Sequence, residues 1–142
     1  LGHSAESAWL GKSFSGKDTH SGLACVVKTH SEIEYSLLGD KVQVEITVGN
    51  SEPKTYELIN HPIFKGNSYG KNLYLKSEYK NSEGKNIVAL DTFWAQIDVA
   101  SEQNKILFQY LHLSKKPMGS VIDWPGDGEI INCEAVDSFV SQ

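Results

Sequence analysis

The chain has 142 residues, a length typical of one domain, and its hydrophobic fraction of 39% is enough for one buried core. No apolar stretch exceeds the five residues 23–27, whereas a helix that spans a bilayer needs about 18. Thirteen basic residues stand against 18 acidic ones, so the net charge is −5. We expect a single domain over residues 1–142 and no membrane insertion, fibrous repeat or coiled coil.

The acidic excess lies at the C-terminal end. Residues 117–142 contain five acids and no Lys, so they carry the whole net charge. Nucleic-acid sites depend on clustered basic residues and on Arg, and this chain has no Arg and no cluster larger than Lys115-Lys116. We therefore expect no nucleic-acid partner. The acidic segment would suit a basic protein partner or a cation, or would be a solvated surface.

Alternation of apolar and polar residues dominates the chain and predicts strands. The cleanest instance is 41–48, in which every second residue is Val or Ile. Gly39 and Asp40 separate this run from a similar one at 33–37, which predicts a hairpin. The eight predicted strands, in chain order, are 23–29, 33–37, 41–48, 54–59, 73–79, 93–99, 105–113 and 129–136.

Eight short strands joined mostly by short turns predict an all-β fold. A meander of this length usually curls into a barrel or splits into two packed sheets. We predict an antiparallel meander of about eight strands that forms a closed or nearly closed β-barrel, with a β-sandwich as the alternative.

Cys25 and Cys133 lie near opposite ends of the chain and form no C-x-x-C motif, which excludes a zinc ribbon or a thioredoxin-type site. Closure of a barrel would bring the first and last predicted strands together, within the reach of a disulfide. We predict this disulfide and therefore an exported protein, secreted or periplasmic; the alternative is two reduced thiols in the cytosol. The chain begins at Leu1, as a processed exported chain would, although residues 1–4 could equally be foreign to it.

Two connections, 60–71 and 114–128, are longer than the other turns. Long loops in compact domains are often functional, and both contain large apolar residues that could anchor a partner. Alternatively, these side chains fold back and plug the ends of the barrel. The candidate anchors are Ile63, Phe64 and Tyr69 in the first loop and Trp124 in the second.

Ser68 lies in the segment 66–70, which matches the G-x-S-x-G motif of α/β-hydrolases, and Asp91 and His112 follow in the order of their triad. That motif requires a strand before the serine and a helix after it. Here Pro62 precedes the serine and an alternating run follows. We expect Ser68 not to be a nucleophile and count it among the binding residues of the loop.

The same loop resembles in part the S-G-x-x-Y loop of bacterial periplasmic lysozyme inhibitors, which are small β-barrels of similar size. Gly66 and Tyr69 match this motif, and Lys65 stands where the family has its serine. The resemblance covers this handful of residues. It implies inhibition of a lysozyme-type enzyme as an alternative function.

The predicted strand 105–113 is apolar on both faces. Such a strand must be covered on both sides. We expect the outer cover to be a partner or the N-terminal segment, with Trp9, Leu10 and Phe14.

One face of this strand also carries polar groups. Tyr110 and His112 share that face and could line a ligand cavity for a small apolar molecule, or a catalytic one together with Asp98; a core tyrosine and a rim histidine are the alternative. The acids of 123–129 lack the spacing of an EF-hand loop, and no zinc, P-loop or dinucleotide motif is present. We expect no cofactor and no bound metal.

These observations together predict an exported, non-catalytic binding domain, monomeric by default, that binds a protein partner through its two long loops. The alternatives are a lysozyme-type inhibitor and a small-molecule or catalytic barrel that uses an interior set of His112, Tyr110 and Asp98.

Overall fold

The computed structural model describes residues 8–37, 39–60, 68–80, 82–118, 121–123 and 129–139, and the statements below refer to these. They form strands and no helix. The strands are β1 (Ser13–Asp18), β2 (Ala24–Thr29), β3 (Asp40–Val48), β4 (Lys54–Asn60), β5 (Ser68–Lys80), β6 (Asn86–Val99), β7 (Lys105–Met118), β8 (Val121–Asp123) and β9 (Glu129–Asp137).

Eight of these strands close into an antiparallel β-barrel in meander order. From β1 to β7 each strand pairs with the next, and β9 closes the barrel by pairing with both β7 and β1. The short β8 pairs only with the end of β7. The predicted all-β meander and barrel are confirmed, and the sandwich alternative is wrong.

Apolar side chains fill the interior of the barrel. Alternate residues of the strands face inward because successive residues of a strand point to opposite faces. Six inward side chains from six different strands are completely buried: Phe14, Val27, Val44, Leu58, Ile97 and Phe108.

Trp9 closes one end of this interior, which we call the closed end. Its side chain is buried, and its carbonyl oxygen accepts a hydrogen bond from the Thr29 hydroxyl at 2.6 Å. Phe14 lies inside the barrel on β1. The alternative in which the N-terminal segment forms an outer layer over strand 105–113 is therefore wrong: Trp9 and Phe14 belong to the core and Leu10 packs against it.

The predicted strand 33–37 is also wrong. Glu34 forms a single isolated bridge with Lys41, and the rest of the segment is an irregular connection. The eighth barrel strand is instead β1, which contains a single large apolar residue, Phe14, and was not predicted. The other seven predicted strands are present, and all but β2 extend beyond the predicted range at one or both ends.

Cys25 and Cys133 form the predicted disulfide, with their Cα atoms 6.1 Å apart and both residues buried. The bond connects β2 to β9. It does not join the first strand to the last, as the sequence suggested, because β1 lies between these two strands.

The two long loops leave the barrel at opposite ends. β4 runs toward the closed end and β5 returns from it, so residues 61–67 connect strands there. β7 runs the other way, so the segment between β7 and β9 belongs to the opposite end. There β5, β6 and β7 continue past the starts of β4 and β9 and pair with one another. We call this extension, together with β8, the arm, and this end of the barrel the arm end.

Candidate binding surface at the closed end

The connection between β2 and β3, residues 30–39, forms much of the closed end. Backbone bonds attach it to β3: Glu34 and Lys41 exchange two, at 2.9 and 2.7 Å, and the amide of His30 donates to the Gln43 carbonyl at 2.8 Å. The Ser36 hydroxyl donates to the carbonyl of Gly39 at 2.7 Å. The connection is therefore held in one position, although most of it is not a strand.

Two large apolar side chains stand out from this connection. Tyr35 is 63% exposed and Leu37 is fully exposed. Scattered exposed apolar residues are ordinary, but two on a fixed connection next to a long loop are suited to anchor a partner. Neither residue was predicted as an anchor, because their alternation with polar residues predicted a strand face. The signal against that interpretation was the adjacent pair Leu37 and Leu38 directly before a glycine.

An acidic groove of about 300 Å³ runs beside the same connection. Glu32, Glu34 and Glu57 line it together with His30 and Lys41. Lys41 lies 3.5 Å from Glu57, so one of the three carboxylates already has a cation partner. The connection itself contains no Lys. The groove can therefore accept the Lys or Arg side chains of a basic partner.

Tyr69 lies beneath this surface, with 7% of its area exposed and its ring centroid 5.5 Å from that of Trp9. Burial raises the pKa of Tyr69, and the nearby Asp40 and Tyr35 raise it further, whereas a hydrogen bond from Asn60 opposes them. The tyrosine therefore stays neutral and supports the end from within.

Ser68 lies on the outer face of the barrel wall. Its hydroxyl donates to the Asp98 carboxylate, which also accepts from the Gln96 amide at 2.9 Å. His112 lies five residues along β7 from the position opposite Asp98, about 16 Å away, and on the other face of the strand. The structure does not bring Ser68 and His112 together.

Tyr110 lies in the interior near the arm end, where its ring centroid is 5.5 Å from that of Tyr56. Burial raises the pKa of Tyr110, as does the Glu129 carboxylate, and a hydrogen bond from Tyr56 and the Lys54 ammonium oppose them. The Lys54 ammonium lies 3.2 Å from both Glu129 oxygens and 5.9 Å from the Tyr110 ring centroid.

The interior set proposed from the sequence is divided between two faces. Tyr110 is opposite the buried Ala95, and half-buried His112 shares its face. Asp98 alternates with the buried Ile97 and faces outward.

Three predicted anchors, Ile63, Phe64 and Trp124, lie outside the described residues. In the described part of the chain, no three His, Cys, Asp or Glu residues are grouped to hold a metal ion. The same residues include no helix that could cross a bilayer.

Comparison with known proteins identifies no relative of this chain. No family model matches the chain, and no curated protein and no solved structure shows significant similarity to it.

Proposed function

We propose that this chain is a non-catalytic binding domain that holds a basic protein at its closed end. The observation that carries the proposal is that exposed Tyr35 and Leu37 lie on the same connection as the acids Glu32 and Glu34, which line the groove. Apolar anchors supply burial, and the carboxylates select a partner of opposite charge and speed its approach. Residues 61–67 connect β4 to β5 at the same end.

The filled interior supports a role at the surface. Inward side chains such as Val44, Leu58 and Phe108 are completely buried and occupy the space that a ligand would need. A small-molecule or catalytic barrel would need an open cavity with converging polar groups.

Tyr69, one of the two residues that carry the partial resemblance, lies at this end, which makes a lysozyme-type enzyme the first basic protein to test. The compartment belongs to the proposal as well. The disulfide is compatible with an oxidising environment, and we propose that the protein works outside the cytoplasm.

The test measures binding of three purified proteins by calorimetry: a lysozyme, cytochrome c as a second basic protein, and ovalbumin as an acidic one. We expect binding of a basic protein that weakens as salt is raised, and no binding of ovalbumin. Leu37→Ser and Glu34→Gln should each weaken that binding roughly tenfold. If the bound protein is the lysozyme, loss of its activity would identify the inhibitor form of the proposal.

The matched controls lie at the arm end. Leu23 is 52% exposed in the turn between β1 and β2, and Glu52 is exposed in the turn between β3 and β4. Leu23→Ser and Glu52→Gln should leave binding unchanged. The proposal fails if neither basic protein binds, or if the variants at both ends weaken binding equally.

A further inference from the structure

The seam between β4 and β5 is the least paired part of the closed barrel wall. Other neighbouring barrel strands pair along five or more positions, but β4 and β5 pair at one position, Ile59 with Gly70. If this register continued along both strands, Lys54 at the start of β4 would lie opposite Leu75. Residues 76–80 of β5 therefore extend beyond β4.

The register shows which backbone groups of β5 face this seam. The amide of Ala100 donates to the carbonyl of Lys105, so even-numbered residues of β6 direct their backbone groups to β7. Odd-numbered residues of β6 must then face β5, and they pair with odd-numbered residues there, as Ile97 does with Tyr69. The N–H and C=O groups of residues 72, 74, 76, 78 and 80 consequently point away from β6, into the seam.

At the far end of the arm, β8 pairs with residues 116–118 of β7. Among the described residues, the edge of β5 has no strand beside it past Gly70. An unpaired strand edge such as residues 71–80 of β5 is a template for another extended strand.

We propose that the β5 edges of two copies of this chain pair antiparallel, about a two-fold axis at Ser77, and form a dimer with one continuous sheet. The charges of β5 favour this register over the two with axes one residue to either side. It places Lys76 opposite Glu78 of the partner subunit, and Glu78 opposite the partner's Lys76. These even-numbered positions are the ones whose backbone groups face the seam, so the same register makes the backbone hydrogen bonds.

Neighbouring registers bring like charges together. An axis at Lys76 would place two lysines opposite each other, and an axis at Glu78 would place two glutamates opposite each other, with further lysines paired beside them. Cross-strand pairs of like charge are destabilising. The charge order of β5 therefore favours the axis at Ser77 over the axes at Lys76 and Glu78.

The pairing is self-limiting. A two-fold contact uses the same edge on both copies, so the dimer leaves no β5 edge for a third chain. The arms meet away from the closed ends, so the dimer would present two closed-end surfaces at once and does not depend on the function proposed for them.

Charge reversal tests the register by sedimentation equilibrium. Lys76→Glu and Glu78→Lys should each weaken self-association at least about tenfold, because two attractive pairs become two repulsive ones. An equimolar mixture of the two variants should form a heterodimer, since positions 76 and 78 are then both acidic in one chain and both basic in the other. The double reversal within one chain should restore the wild-type dimer.

Lys71→Glu is the matched control, because residue 71 has no strand residue opposite it in this register and the change in net charge is the same as for Lys76→Glu. It should leave the dimer intact. A wild-type protein that sediments as a monomer at its highest soluble concentration would overturn the proposal. So would single reversals with no effect, or a mixture that fails to associate while both variants keep the wild-type circular dichroism spectrum.

Discussion

The Cα atoms of Cys25 and Cys133 are 6.1 Å apart, although β1 lies between their strands. In a flat sheet, strands two apart are separated by about 9.5 Å. The barrel wall therefore bends sharply at β1, and Gly16, which pairs with Cys25 on one side and with Ala135 on the other, lies at the bend. The disulfide holds together the two strands that flank this corner.

The disulfide should contribute strongly to stability, because it closes a loop with a sequence separation of 108. In the chain-entropy model a loop of this size is worth up to about 4.7 kcal/mol. The double variant Cys25→Ser, Cys133→Ser should lower the free energy of unfolding by an amount approaching that figure in urea denaturation. Alkylation of the denatured, unreduced wild type should add no label, and reduction beforehand should allow two. Two labels without reduction would contradict the bond.

Gly16→Ala should be severely destabilising. A Cβ at this position would lie 1.7 Å from the Glu134 carbonyl oxygen and 2.7 Å from the Ala135 Cα. Both are backbone atoms, so β1 and β9 would have to separate at the corner. We expect a loss of about 3 kcal/mol or more in urea denaturation.

Gly84→Ala is the control for that variant. Gly84 has a φ of +77°, but nothing lies within 4 Å of the added Cβ. Its cost should be backbone strain alone, about 1 kcal/mol. Equal losses at the two glycines would show that the close approach at β1 is not important for folding.

Truncation should lower stability strongly at Trp9 and hardly at all at Leu37. Trp9 is 2% exposed and closes the barrel, so Trp9→Ala should cost about 3 to 5 kcal/mol. Leu37 is fully exposed, so Leu37→Ser should change stability by less than about 0.5 kcal/mol. Thermal unfolding of both variants checks this. A large loss for Leu37→Ser would mean that its effect on partner binding could not be separated from folding.

The sequence predicted those strands whose alternation is repeated over several residues, as in 41–48. It did not predict β1, because Gly16 must lack a side chain at the corner and Phe14 is then the single large apolar residue of the strand. The opposite error occurred at 33–37, where alternation is present but Tyr35 and Leu37 remain exposed. Alternation reports a possible strand face, and pairing with neighbours decides whether the strand forms.

The candidate site was harder to predict than the fold, because it depends on direction and register. Loops 60–71 and 114–128 look equivalent in the sequence, but the barrel sends them to opposite ends. Asp98 and Tyr110 look like partners across a cavity, but they lie on opposite faces of the wall. The sequence could not show that Glu32 and Glu34 line a groove with Glu57, because Glu57 lies on a different strand.

Asp18 is a buried carboxylate at the end of β1 whose charge is satisfied locally. It accepts hydrogen bonds from the Ser21 hydroxyl at 2.6 Å and from the backbone N–H groups of Ser21 at 3.0 Å and Asn132 at 2.7 Å. A longer one comes from the backbone N–H of His20. Burial alone would raise the pKa of Asp18, but these bonds outweigh it and hold the pKa below its ordinary value of 3.8.

This shift predicts a pH dependence of stability. Because the folded pKa lies below the unfolded one, the stabilising contribution of Asp18 is complete above pH 3.8 and is lost as the pH falls through the folded pKa. Asp18→Asn should lower stability at neutral pH by about 2 kcal/mol, since a neutral amide replaces a carboxylate that accepts several bonds. Urea denaturation from pH 7 to pH 2 should show a gap between wild type and variant that narrows below pH 3.8. A gap that stays constant over that range would contradict an ionised Asp18 in the folded protein.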